Sequence, residues 1–329
     1  MKNEGRATRR YVAILPGARR FLQILTKGVI SMAISKVLKK RRRSIIICET
    51  VFLLPALIFL AAYLLYPIIA TFINSLFQWN GISADKTFIG LDNWIQLIGD
   101  SKFWGAFKNN LIIMVLSLVI QMPIGILLAT FLDAGGKKFN FFKAIWFLPM
   151  LMSSVAVGYL FRYALATNGG LVSSIAELFG GGKVDLLGNQ STALFAVIAV
   201  ICWQFIPFYM VYYMAGYSSI STDVYEAAIV DGATHVQYIR RIALPLLVPT
   251  IKSAIILSLI GSLKYFDLIY VMTGGGPGTS TELMATYMYK NSFITFNMGY
   301  GSAIAGGMFI LITVFAAIVM KLLNRRGGD

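Results

Sequence analysis

Six stretches of this chain are almost continuously apolar, at about 47 to 73, 109 to 132, 141 to 164, 192 to 217, 249 to 272 and 300 to 322. Each is near or above the roughly 20 residues that a helix needs to cross a bilayer. Between them the pattern turns polar, and the sharpest change is at residues 226 to 249, EAAIVDGATHVQYIRRIALPLLVP. Upstream of it Ser221 and Thr222 can cap a helix start, Ala227 and Ala228 favour helix, and Gly232 is a weak point where one short helix ends and another begins. Pro245 and Pro249 then halt the second helix and set the start of the next apolar run, since proline is tolerated in a first turn and not in an ordinary helix interior. The pattern predicts an all-α, polytopic membrane protein with six transmembrane helices. A bent polar element at residues 218 to 248 lies between the fourth and fifth, inside a membrane domain of residues 44 to 329, and residues 1 to 43 form a basic N-terminal extension.

Composition agrees with the pattern. Hydrophobic residues make up 57% of the chain and charged ones 13%, against roughly 25% charged in soluble domains, and the mean hydropathy is +0.73. A net charge of +15 could suggest nucleic acid, but its distribution reads as topology. Lysine and arginine crowd the first 43 residues, where Lys39 to Arg43 run unbroken, and recur at Lys137, Lys138, Lys143, Arg240, Arg241, Lys321, Arg325 and Arg326, all on one side of a six-span arrangement. The other side has Lys86, Lys102, Lys108, Lys183 and Lys290 mixed with Asp85, Asp92, Asp100, Glu177, Asp185 and Glu282. The positive-inside rule then puts both termini and the bent element in the cytoplasm, and no nucleic-acid partner is expected. The segment from Phe21 to Leu38 mixes apolar residues with Lys27 and Lys36 and suits an interfacial helix on anionic lipid, but a disordered tail or a start codon assigned too early fits as well. As a signal peptide it is poor, because its basic cluster follows the apolar stretch.

Catalytic chemistry finds little support. Cys48 and Cys202 lie in apolar runs at opposite depths, without metal-ligand neighbours. His235 is the only histidine and falls in the bent element. The Gly135, Gly136, Lys137 run lacks the leading glycine of a nucleotide-binding P-loop, since position 131 is phenylalanine. No ATP hydrolysis, cofactor or metal is expected on this chain.

The bent element resembles the EAA loop of permease subunits in binding-protein-dependent ABC importers. The match is carried by Glu226, Ala227, Ala228, Asp231, Gly232 and Ala233, followed by Ile242, Leu244 and Pro245. FDLIYVMTGGGPG at 266 to 278, TELMATYMYKNSF after it and GYGSAIAGG at 299 to 307 resemble the maltose-type, carbohydrate-importing branch and extend the match from about Phe52 to the C-terminus. The resemblance implies a cytoplasmic (inner) membrane protein that pairs with a second homologous permease, two cytoplasmic ATPase subunits holding ATP and Mg, and an extracellular or periplasmic solute-binding protein. Glu226 would be the docking carboxylate. Rival readings are an importer permease for another small solute, a secondary transporter and a membrane-embedded enzyme. The last two meet no internal repeat and no facing catalytic cluster.

For a substrate path the fifth apolar run offers Ser258, Gly261, Ser262 and Tyr265, spaced to share one helical face. Hydroxyls beside an aromatic ring suit a sugar, which has both hydroxyls and apolar C–H faces. The resemblance adds Trp203, Gln204 and Phe208 from the span before the loop. Bonding to neighbouring helices is the plain alternative for each of these groups. Lys264 and Asp267, three apart on nearly the opposite face, are expected to pair, and Arg162 to anchor the outer end of the third span. Gly274 to Gly278 with Pro277 should end the fifth span abruptly. Gly299, Ala303 and Gly307 form a small-residue stripe for close helix packing.

Overall fold

The computed structural model describes residues 50–134 and 136–325, so the basic extension and Cys48 lie outside the described residues. The chain divides into two units, Met1–Ile69 and Ala70–Asp329. The described part of the first is the start of α1, Thr50–Asn74, whose most apolar window buries none of its residues. The second unit holds the remaining elements. A two-residue hairpin, β1 Phe77–Gln78 and β2 Thr87–Phe88, pairs antiparallel, and α2 covers Asp92–Gly99. The long α3, Ser101–Ala134, is followed by α4, Asn140–Leu151, α5, Ser154–Ala164, α6, Leu171–Leu178, and α7, Ala193–Ser218. Then come α8, Thr222–Val230, α9, His235–Leu246, α10, Val248–Leu263, α11, Asp267–Met272, α12, Met284–Tyr289, and α13, Met298–Arg325.

Among the described residues four helices, α1, α3, α7 and α13, are long and apolar enough to span alone, and two bent pairs bring the number to six if each crosses once. The expected third span is thus no single rod: α4 and α5 meet at 90°. Pro149 in the last turn of α4 and extended backbone at Met152 and Ser153 break it. The fifth run is broken too. Helix α10 stops at Leu263, three residues link it to α11, and the glycine corner follows, with Gly274, Gly275 and Gly278 at positive φ. Lys264 and Asp267 flank this break, both exposed, and make no ion pair with each other. The one ion pair among the described residues joins Lys290 to Glu282.

Helix α7 is the hub, with 56% of its apolar window buried against 33% for α3 and 22% for α13. It packs along α3, and α10 packs on α3 and α13. The small-residue stripe of α13 packs as predicted, within the subunit: a Cβ on Gly299 would sit 2.0 Å from the Phe77 carbonyl oxygen, and one on Gly307 would sit 2.7 Å from Leu97.

The end of the molecule with the glycine corner is tied by side chains distant in sequence. Asn109 Nδ2 reaches the carbonyls of Glu282 (2.9 Å) and Ser280 (3.1 Å). Asn110 donates to the Ser262 carbonyl (3.1 Å) and accepts from the Met284 N–H (3.0 Å). Glu282, expected as an outward-facing acid, is instead buried, accepting from Thr286 and paired with Lys290. Asp100 caps α3 through the N–H groups of Lys102 (2.8 Å) and Phe103 (3.4 Å). Its other oxygen takes the Tyr287 phenol at 2.6 Å and the Tyr300 phenol. Burial alone would raise the Asp100 pKa, but these four donors outweigh it and hold the carboxyl below its ordinary value. The Tyr287 hydroxyl is pushed up to about 12 by burial and by its bond to that carboxylate.

Candidate functional site: the coupling element and the polar interior

The bent element is built from local rules. Ser221 caps α8, its hydroxyl accepting from the Asp223 N–H at 3.2 Å. At the other end Gly232 has φ +77°. The Gly232 N–H bonds the Ile229 carbonyl and the Ala233 N–H the Ala228 carbonyl, both at 2.9 Å, a Schellman closure. A second start follows at once: Thr234 and Gln237 bond reciprocally, at 2.7 and 3.3 Å, as a capping box. Helix α9 continues through a wide turn at Ile239–Ala243 and meets α10 at 64°. The first arm leans on the second through Tyr225 and Tyr238, ring centroids 4.9 Å apart. The second arm is held to α7 at Leu247, so close that a Cβ on Gly216 would lie 2.8 Å from it.

This construction buries Ala228 and Ala243 and half-buries Ile242 and Leu244, while Glu226, Ala227, Asp231, Gly232 and Pro245 are exposed and Ala233 is half-buried. Apolar side chains stand among the exposed polar ones: Val230 is 86% exposed, Val236 58% and Ile229 53%. Apolar and acidic side chains thus share the exposed surface of this element.

The candidate path residues separate into two groups. Ser258 and Ser262 are 2% and 1% exposed, facing the subunit's own core, and Gln204 is 2% exposed. Gln204 donates to the Met152 carbonyl, freed by the break between α4 and α5, at 3.3 Å, and to Ser154 at 3.4 Å. Its Oε1 has no partner, and the Ser258 hydroxyl lies against the Tyr209 phenol. Tyr265 cannot continue the Ser258 face, because α10 has already ended. It packs instead on Phe205, ring centroids 5.6 Å apart, and against Gln121. Trp203 and Gly261 point elsewhere: Trp203 is 40% exposed against Phe161, and Gly261 is exposed. Phe208 stacks with Tyr212. Arg162 reaches the Val271 carbonyl at 3.4 Å, tying α5 to α11.

The chain matches the model of the binding-protein-dependent transport system inner membrane component family over residues 121–327. The chain belongs to this family. It is 31% identical over 278 residues, 83% of this chain and 94% of the relative, to the multiple sugar-binding transport system permease protein MsmF of Streptococcus mutans. It is 30% identical over 274 residues, 82% of this chain and 91% of the relative, to the trehalose/maltose transport system permease protein MalF of Thermococcus litoralis. Among solved structures it resembles a bacterial ABC transporter involved in the import of the acidic polysaccharide alginate, with a TM-score of 0.74 and 27% identity over 88% of this chain and 99% of that one.

In this importer permease, sequence reasoning missed the contribution of α3. Asn110, Ser117 and Gln121 are all buried, at 0%, 0% and 1%. Their spacing of seven and four puts them on one helical face, a signal that was present in an otherwise apolar run.

Proposed function

We propose that this chain is the membrane-spanning path and lever of an importer that moves a sugar or oligosaccharide into the cytoplasm. It works with a second homologous permease, two cytoplasmic ATPase subunits that hold ATP and Mg, and an external solute-binding protein. The observation that carries the lever is the exposed apolar patch of Ile229, Val230 and Val236 beside Glu226, presented on two short helices with firm caps. ATP-driven closure of the ATPase pair would move this element as a unit, and the Leu247 contact with α7 would pass the movement to the membrane helices, a coupled two-state change. The chemistry of ATP belongs to the ATPase, and this chain requires no cofactor.

For the cargo, the sugar-related names of the relatives agree with the buried neutral groups Gln204, Ser258 and Ser262. The crowding of lysine and arginine on one side of the spans supports cytoplasmic termini. Proteoliposomes holding the full complex test the reading. Labelled oligosaccharide should accumulate only with ATP on the ATPase side and binding protein on the other, and accumulation without ATP would sink it. Single cysteines at Asp85 and Glu177 should react with an impermeant thiol reagent outside intact cells and one at Gly232 should not. The reverse pattern would invert the topology.

A further inference from the structure

We propose that α3 supplies a third wall to the sugar site through Ser117 and Gln121, and that the site takes an uncharged oligosaccharide. The inference rests on the import reading above. Along the polar face of α3, Asn110 is fully used, bonded at both ends of its amide. The next two residues are not. The Ser117 hydroxyl is buried with no partner. The Gln121 Nε2 donates to the Cys202 thiol at 3.7 Å, a weak acceptor, while its amide lies against the Tyr265 phenol. Across from α3, Gln204 Oε1 on α7 is likewise buried and unpaired, and the buried Ser258 hydroxyl on α10 lies against the Tyr209 phenol.

Two unpaired polar atoms buried on the packed helices α3 and α7 are a poor way to stabilise a membrane protein. Each costs about 1–3 kcal/mol, and lipid offers no water in exchange. A ligand that is donor and acceptor at many points removes the penalty, and a sugar's hydroxyls are such groups. In this structure the three walls pack against one another, so the arrangement is the site in its closed form.

The same inventory bears on charge. Among the described residues the only buried carboxylate or cation is Glu282, already neutralised by Lys290 beyond the end of α11. Lys264 and Asp267 at the break after α10 are exposed and opposite in sign. An acidic sugar would therefore lose its hydration without gaining a net countercharge from this chain, a heavy penalty in a low-dielectric interior. A neutral chain of hydroxyls meets no such cost. The alginate importer that this chain resembles in fold handles an acidic polymer, so the two interiors are expected to differ here.

The test uses the full complex with its binding protein in proteoliposomes, with maltotriose, cellotriose, xylotriose and trigalacturonate as probes. The wild type should carry at least one neutral trisaccharide and not trigalacturonate. For the carried sugar, Gln121→Leu should raise KM about tenfold, with the complex recovered in the same yield. Gln121→Asn should recover part of the loss, and Ser117→Ala should raise KM less than Gln121→Leu. A purely structural glutamine would lower yield without this split. Transport of trigalacturonate, or a wild-type KM in Gln121→Leu, overturns the inference while leaving the import reading intact. A wild-type complex that carries none of the four overturns both.

Discussion

The two ends of the membrane domain are held by opposite means. The coupling element is fixed by bonds between residues close in sequence: Ser221 to Asp223, Ala233 to Ala228, Thr234 to Gln237. The end that carries the glycine corner is fixed by side chains far apart, Asn109 and Asn110 on α3 to residues 279 to 284, and Asp100 to Tyr287 and Tyr300. The proposed lever has to keep its own shape while leaving its working face free, and local caps achieve that without using up surface. The far end has to hold three helices and a loop together, and only long-range bonds do so.

The contrast is broken most sharply at Glu226, which is exposed and touches nothing that the fold needs. Glu226→Lys should leave insertion and stability unchanged and abolish substrate-stimulated ATP hydrolysis and uptake. Normal transport by this variant would remove the docking assignment. At the other end, Asn110→Ala leaves the Met284 N–H and the Ser262 carbonyl without partners. Each loss costs about 1–3 kcal/mol, so the melting temperature of the complex should fall by several degrees. Thr234→Ala removes only a cap, worth about 1 kcal/mol, and should cost more coupling than stability. If the two variants lose stability equally, the distinction between local and long-range tying fails.

Gly232→Ala is of similar size. Nothing lies within 4 Å of an added Cβ, so the penalty is only that of φ +77°, about 1–2 kcal/mol for a side chain in the left-handed region. Uptake should drop partially, and full uptake would show that the bend between α8 and α9 tolerates reshaping. The smallest effect is at Asp100. Its folded pKa lies below the ordinary carboxylate value, so its stabilising contribution is complete above about pH 4 and is lost as pH falls through the folded value. The difference in melting temperature between wild type and Asp100→Asn should be largest near neutral pH and shrink below about pH 4. A difference that grows on acidification would contradict the assigned network.

Legibility in the sequence follows the same division. The membrane class, the shape of the bent element, its break at Gly232 and the packing stripe through Gly299 and Gly307 depend on nearest neighbours and helical spacing, and were readable. The capping box at Thr234 was also there to be read, as Thr followed three residues later by Gln. The broken third and fifth spans were not, since apolar runs look alike whether straight or bent, and the bend between α4 and α5 depends on Gln204 accommodating a freed carbonyl. The supposed Lys264 and Asp267 pair failed because spacing of three means neighbours only on a continuous helix, and α10 ends at Leu263 while α11 starts at Asp267. Tyr265 left the Ser258 face for the same reason. The role of α3 needed the three-dimensional packing, which alone shows that Asn110 is satisfied and Ser117 is not.

The central claim is that the exposed face of the coupling element is covered by an ATPase in the assembled importer. A photocrosslinking amino acid at Val230, 86% exposed, tests it against the same label at Phe179, 88% exposed in the loop after α6. In the intact complex, position 230 should crosslink to the ATPase subunit and position 179 should not. An ATPase that copurifies with the chain but leaves position 230 unlinked would contradict the account.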